Sequence, residues 1–213
     1  MKKIEEVSDL NDKKVILRLD LNVPLNGSEI TDPTRIEKIL PTLRFLIHKN
    51  SKIIIISHIG RPRGKVVKNL SMLPVCKYIS KKLNKEVELI EKKIFDIDTN
   101  IIFKNNKSKI LFLENIRFYE QEEENSEEFA KLLSTFGDIY INDAFSCSHR
   151  AHASIDKITK FIPAYCGIQM NNEVNALKKL TSDIKRPITC IIGGSKISTK
   201  INLIKNLIPK FEN

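Results

Sequence analysis

Residues 15–24 read VILRLDLNVP. Val15, Leu17, Leu19, Leu21 and Val23 alternate with positions that include Arg18, Asp20 and Asn22, and Pro24 ends the run. Alternation over this length predicts a β-strand, because successive side chains point to opposite faces. Arg18, Asp20 and Asn22 are therefore expected on one face, with Asp20 and Asn22 near the strand's carboxyl end.

Five further apolar runs read as strands: KIIIISHI (52–59), VELI (87–90), KILFLENI (109–116), DIYINDAF (138–145) and PITCIIG (187–193). Most are separated by segments with helical spacing. The first of these starts at Thr31-Asp32-Pro33, an N-cap signal with proline at the first helical position, and carries Ile36, Ile39, Leu40, Leu43 and Ile47 on one face. Pro41 inside it is expected to kink or restart the helix. Further helices are expected at 73–84, 126–136, 168–182 and 198–208. Strands alternating with helices imply βαβ units: an α/β fold with a mainly parallel sheet and flanking helices, a Rossmann-like three-layer lobe. The segment TSDIKRP (181–187), where a long helix is expected to end and a new strand to begin, is the candidate boundary.

Composition narrows the class. With 213 residues, 41% hydrophobic and 29% charged, the chain is expected to be globular, and its lack of an apolar run or signal-peptide core points to the cytoplasm and away from membranes. Cys76, Cys147, Cys166 and Cys190 show no metal or redox spacing and read as buried reduced thiols. The charge of +10 implies an anionic partner, for which nucleic acid and phosphorylated metabolites both qualify. The acidic run 120–128 reads as a solvated segment leading into a helix N-terminus.

In open α/β sheets the ligand crevice lies beyond the carboxyl ends of the strands. Polar residues gather there: His58, Gly60 and Arg61 after the four isoleucines, Glu114, Asn115 and Arg117 after KILFL, and Asn142, Asp143 and Arg150 after DIYI. Arg35 lies near the start of the first helix. Several converging arginines suit a small polyanion, since the guanidinium fork matches phosphate and carboxylate. Arg18 reads as a structural ion-pair partner, and His149 and His152 as supporting groups, because no third metal ligand accompanies them. Gly193-Gly194 followed by Lys196 and Lys200 has a phosphate-cradle layout.

RLDLNVP (18–24), SHIGRP (57–62), LENIRF (113–118), YINDAF followed by HRAHAS (140–154) and IIGGSKI (191–197) together resemble the signature segments of phosphoglycerate kinase, in that family's order. The resemblance covers the family's N-terminal lobe and the start of its nucleotide lobe. It implies three parts: a phosphoglycerate-binding domain over 1–167, a connecting helix over 168–186, and the beginning of a nucleotide-binding domain over 187–213. It also implies reversible phosphoryl transfer from 1,3-bisphosphoglycerate to MgADP, giving 3-phosphoglycerate and ATP, the substrate-level step of glycolysis.

By the family pattern Asp20, Leu21, Asn22, Arg35, His58, Ile59, Gly60, Arg61, Arg117 and Arg150 hold the phosphoglycerate. Arg35 and Lys196 face the group in flight, while Gly193, Gly194 and Lys200 meet nucleotide phosphate, with Mg2+ arriving on ADP or ATP. Thr199 stands where the family usually has aspartate. The expected assembly is a monomer, with association through the C-terminal segment as a variant. The competing readings are a lobe that binds phosphoglycerate without efficient turnover and, more remotely, a basic nucleic-acid-binding domain.

Overall fold

The computed structural model describes residues 2–181, 186, 187, 189, 191, 192 and 201–210. The chain divides into two compact units, Met1–Asn171 and Asn172–Asn213. The strands are β1 (Lys14–Leu19), β2 (Leu25–Asn26), β3 (Glu29–Ile30), β4 (Lys52–Ile56), β5 (Glu88–Ile90), β6 (Ile110–Leu113), β7 (Ile139–Asp143) and β8 (Ala164–Cys166). The helices are α1 (Thr34–His48), α2 (Leu73–Leu83), α3 (Ile102–Asn105), α4 (Glu120–Glu123), α5 (Glu127–Ser134), α6 (Ile168–Thr181) and α7 (Ile201–Leu207). Among the described residues no helix is long and apolar enough to cross a membrane.

Six strands form one sheet in the order β5-β6-β4-β1-β7-β8, with every pairing parallel. The α/β reading therefore holds. β1 lies in the interior with both faces covered. Val15, Leu17 and Leu19 pack with Ile36, Ile39, Leu43 and Leu46 of α1 and Val75 and Ile79 of α2. Ile16, on the other face, joins Ile54, Phe129 and Leu133, so the sheet is sandwiched between helical layers. This explains the near-continuous apolar runs of β4 and β6, since a strand buried on both sides needs no polar face.

From β1 the chain moves outward to β4, and from β7 it moves the opposite way to β8. The connections thus reverse direction between neighbouring β1 and β7, and the crevice at their carboxyl ends is the switch point of the sheet.

Several sequence expectations need correction. β1 ends at Leu19, so Asp20 and Asn22 lie beyond the strand and not along one of its faces. Val23 N–H donates to Leu21 C=O at 2.8 Å, a tight turn that no ladder can continue. Pro41 neither ends nor restarts α1, which runs through it with Pro33 at the N-cap position. Pro41 is exposed, so the carbonyl left without its amide partner is open to water. Asp32 supplies the capping oxygen instead, accepting Thr34 N–H at 2.9 Å.

The hairpin β2–β3 and the strand β8 were not legible, being only two or three residues each. The acidic run is not uniformly solvated: Glu122 is fully buried. Cys76, Cys147 and Cys166 are buried free thiols, as expected; Cys190 lies outside the described residues. The second unit holds the later part of α6 and all of α7. Of the strand expected over 187–193, positions 188, 190 and 193 lie outside the described residues and the four described positions are not in a strand, so the expectation is not met there; the first three positions of the helix expected from 198 also lie outside the described residues.

Candidate functional site

The switch point is closed by a carboxylate. Asp20, immediately after β1, accepts from Arg35 Nη1 of α1 and from Ser146 Oγ beyond β7. Three elements distant in sequence thus meet on one side chain. Arg35 remains about half exposed, at 48%, so part of its guanidinium is open to a ligand.

The turn after β4 is held from several sides. Asn22 Oδ1 accepts Gly60 N–H at 2.9 Å, Arg117 Nη1 donates to Gly60 C=O at 3.0 Å, and Gly64 N–H donates to Arg117 C=O at 3.1 Å. Gly60 has φ +64°, a conformation that favours glycine, and a Cβ there would also press on the Leu70 side chain at 2.8 Å. Asn115, fully buried, donates to the carbonyls of Ile59 and Leu70 at 2.8 and 2.9 Å. The consequence is a rigid turn that presents Arg61 to solvent, its side chain without a hydrogen bond or ion pair among the described residues.

Beneath this turn lies a cluster of cations. Arg117 is 2% exposed, yet its Nε and Nη2 have no hydrogen-bond partner; the nearest carboxylate, Glu123, stands 3.5 Å from Nε. Burial lowers the pKa of Arg117. His58, also buried, takes Arg18 Nη2 at 3.0 Å on Nδ1. A guanidinium only donates, so Nδ1 is the acceptor and the ring proton sits on Nε2. Burial, then the charges of Arg18, Arg117 and Arg150, push His58 down to about 2. His152 is pushed down to about 4 by burial and then by Arg117, with Arg150 and Arg18 adding to it. Both imidazoles are neutral at pH 7, because burial first and the neighbouring guanidinium charges second disfavour a further positive charge.

The expected site residues therefore fall into groups. Arg117, His58 and Arg150 share one electrostatic field, Asp20 and Arg35 are paired, and Asn22 and Gly60 build the turn that carries Arg61. Leu21 and Ile59 are core side chains, so only their main chain is available to a ligand. Glu114 and Asp143 are spent on structure: Glu114 accepts Met72 N–H at 2.7 Å ahead of α2, and buried Asp143 accepts Met170 N–H at 2.7 Å and the Thr42 hydroxyl at the start of α6. Gly193, Gly194, Lys196 and Lys200 lie outside the described residues.

Sequence reasoning missed Ser146, Ser154 and Glu122, none of which stands apart from its neighbours in the sequence. It read Arg18 as a structural ion-pair partner; Arg18 makes no direct ion pair among the described residues and reaches a carboxylate through a hydroxyl, its Nε donating to Ser154 Oγ at 3.0 Å and Ser154 Oγ donating to Glu122 at 2.7 Å.

Known proteins carry the same framework. The family model for phosphoglycerate kinase matches residues 4–213. The phosphoglycerate kinase of Wolbachia sp. subsp. Brugia malayi is 46% identical over 211 residues, covering 97% of this chain and 52% of the relative. That of Geobacter metallireducens is 44% identical, covering 98% and 53%. The structure of phosphoglycerate kinase from Coxiella burnetii superposes with a TM-score of 0.86 at 36% identity, over 99% of this chain and 52% of that one. The chain spans about half the length of the curated relatives it matches, consistent with an N-terminal half. From its matched residues, its sheet and its relatives, this chain belongs to the phosphoglycerate kinase family.

Proposed function

We propose that residues 1–167 form a phosphoglycerate-binding lobe, that 168–186 connect it onward, and that 187–213 begin a nucleotide-binding lobe. The observation that carries the reading is Arg117: a buried guanidinium with two unpartnered nitrogens, in the field of Arg18 and Arg150. A buried cation whose counter-charge, Glu123, stands 3.5 Å away without a hydrogen bond is costly, and a phosphate or carboxylate held in the same field by the more exposed arginines offsets part of that cost. Arg61, Arg150 and the open part of Arg35 add contacts around it. Asp20 and Asn22 sit where a ligand hydroxyl would lie, at the switch point.

The reaction proposed is phosphoryl transfer between the acyl phosphate of 1,3-bisphosphoglycerate and MgADP, a phosphotransferase step with a carboxyl group as acceptor in the reverse direction. Such transfers depend on positioning and charge stabilisation. Here the arginines bind and orient the glycerate half, and Arg35 is the cation placed to face the transferred group. Lys196, Lys200, Gly193 and Gly194 are proposed on the nucleotide side, where Mg2+ arrives with its nucleotide.

Titration calorimetry with 3-phosphoglycerate tests the lobe assignment. Arg35→Ala, Arg61→Ala and Arg150→Ala are each expected to weaken binding by about 1.5 to 3 kcal/mol, the scale of a charge-assisted contact. Variants that bind like the parent would make the arginines a solvated surface.

A further inference from the structure

Glu122 is fully buried at the foot of the cation cluster, and the binding role above makes no use of it. Its Oε2 accepts Ser154 N–H at 2.9 Å and its Oε1 accepts Ser154 Oγ–H at 2.7 Å. Since Arg18 donates to the same hydroxyl, the proton order is fixed as guanidinium to hydroxyl to carboxylate. Ser154 is itself clamped, its carbonyl accepting the Tyr140 hydroxyl at 2.6 Å. Arg18 in turn donates to His58. One carboxylate therefore fixes, through Ser154, the Nε side of Arg18, whose Nη1 donates to the Leu19 carbonyl and whose Nη2 donates to His58.

The same carboxylate has a second, unfinished contact. His152 Nδ1 is buried, has no hydrogen-bond partner and lies 3.7 Å from Glu122 Oε1. A neutral ring whose proton sits on Nε2 leaves that approach loose, whereas the imidazolium, with a proton on both nitrogens, would donate from Nδ1 and close it. The charges facing His152 are Glu122 and Glu123 on α4, Arg117 in the turn before α4, Arg150 two residues upstream, and Arg18 on β1, with neutral His58 beside them. Cations outnumber anions in this set until an oxyanion arrives.

We propose that Glu122 is a positioning residue of the anion site: it holds Arg18 through Ser154, and it accepts a hydrogen bond from Nδ1–H of His152 when an oxyanion occupies the cluster and the ring takes a proton from solvent, so that occupancy draws a proton into the protein. The inference rests on the phosphoglycerate-binding reading above and deepens it. An incoming phosphate cancels part of the field of Arg117 and Arg150, and the Glu122 carboxylate then stabilises the imidazolium directly.

Proton NMR of the histidine rings between pH 4.5 and 8, with and without saturating 3-phosphoglycerate, reads this directly; His152→Asn assigns the resonance. The His152 pKa is expected to rise on saturation by about one unit or more, a tenfold gain in proton affinity. In Glu122→Gln, which keeps the shape and one acceptor oxygen toward Ser154 but removes the charge and the second acceptor, that rise should shrink to less than about half. Ser154→Ala leaves the carboxylate in place and should keep the rise while weakening ligand binding. Saturable binding to the parent without movement of His152 overturns the inference alone, as does a full rise in folded Glu122→Gln. Failure of the parent to bind 3-phosphoglycerate at all overturns the binding reading and this inference with it.

Discussion

His58 gives the structure's sharpest pH prediction. Its folded pKa is depressed from 6.5 to about 2, so below pH 6.5 the unfolded chain takes a proton at this position that the folded protein refuses. The stability contributed by the neutral ring is therefore complete above pH 6.5 and is lost progressively as pH falls toward 2. At pH 5 the loss amounts to about 2 kcal/mol, because each unit between the ambient pH and the unfolded value is worth about 1.36 kcal/mol. Glutamine in His58→Gln can still accept from Arg18 but does not titrate. Urea unfolding of both proteins at pH 7 and pH 5 isolates the histidine, since the opposite contributions of buried Glu122 and Asp143, whose pKa values burial raises, are common to both. The parent should lose about 2 kcal/mol more than the variant. Equal losses would mean that His58 is protonated when folded, which would refute its role as acceptor for Arg18.

Three further outcomes are expected. Gly167→Ala should destabilise the protein by about 1 to 3 kcal/mol in urea or thermal unfolding, because a Cβ there would sit 2.3 Å from Asp143 Cγ, a carboxylate already fixed by α1 and α6. Asn22→Ala should release the Gly60 amide and weaken 3-phosphoglycerate binding more than inorganic phosphate binding, read by competition NMR; equal losses would remove Asn22 from ligand selection. A polypeptide of these 213 residues, given 1,3-bisphosphoglycerate and MgADP, should form ATP far below the roughly 1 to 100 turnovers per second of kinases, since orienting both substrates produces the rate. A coupled assay showing turnover in that range, free of contaminating enzyme, would refute this.

What was legible in the sequence follows from its physical origin. β1, β4, β6 and β7 announced themselves because strands buried on both faces must be apolar, and the arginines because each follows a strand or opens a helix. The hairpin β2–β3 and edge strand β8 did not, because two or three residues carry no period. Glu122 was illegible for a different reason. It stands among near-identical neighbours in EQEEE, and only the arrival of Ser154 and Arg18 from remote parts of the chain makes its burial tolerable. Asp143 likewise looked like a wall of the crevice until Thr42 and Met170 were seen to use both its oxygens.

The pairing of β1 with β7 has a consequence for biogenesis. Val15 meets Ile139, and Asp20 meets Ser146, across separations of more than 120 residues. Contacts so remote form late, after the entropy of closing a long loop has been spent. During synthesis at about 5 to 20 residues per second, β1 and the four isoleucines of β4 wait many seconds for β7 to emerge. The proposed anion site cannot template its own folding, because Arg18 has no Ser154 to grip until nearly the whole first unit has been made. The emerging chain therefore carries the apolar β1 and β4 through a stage at which β7, the strand that pairs with β1, has not yet been made.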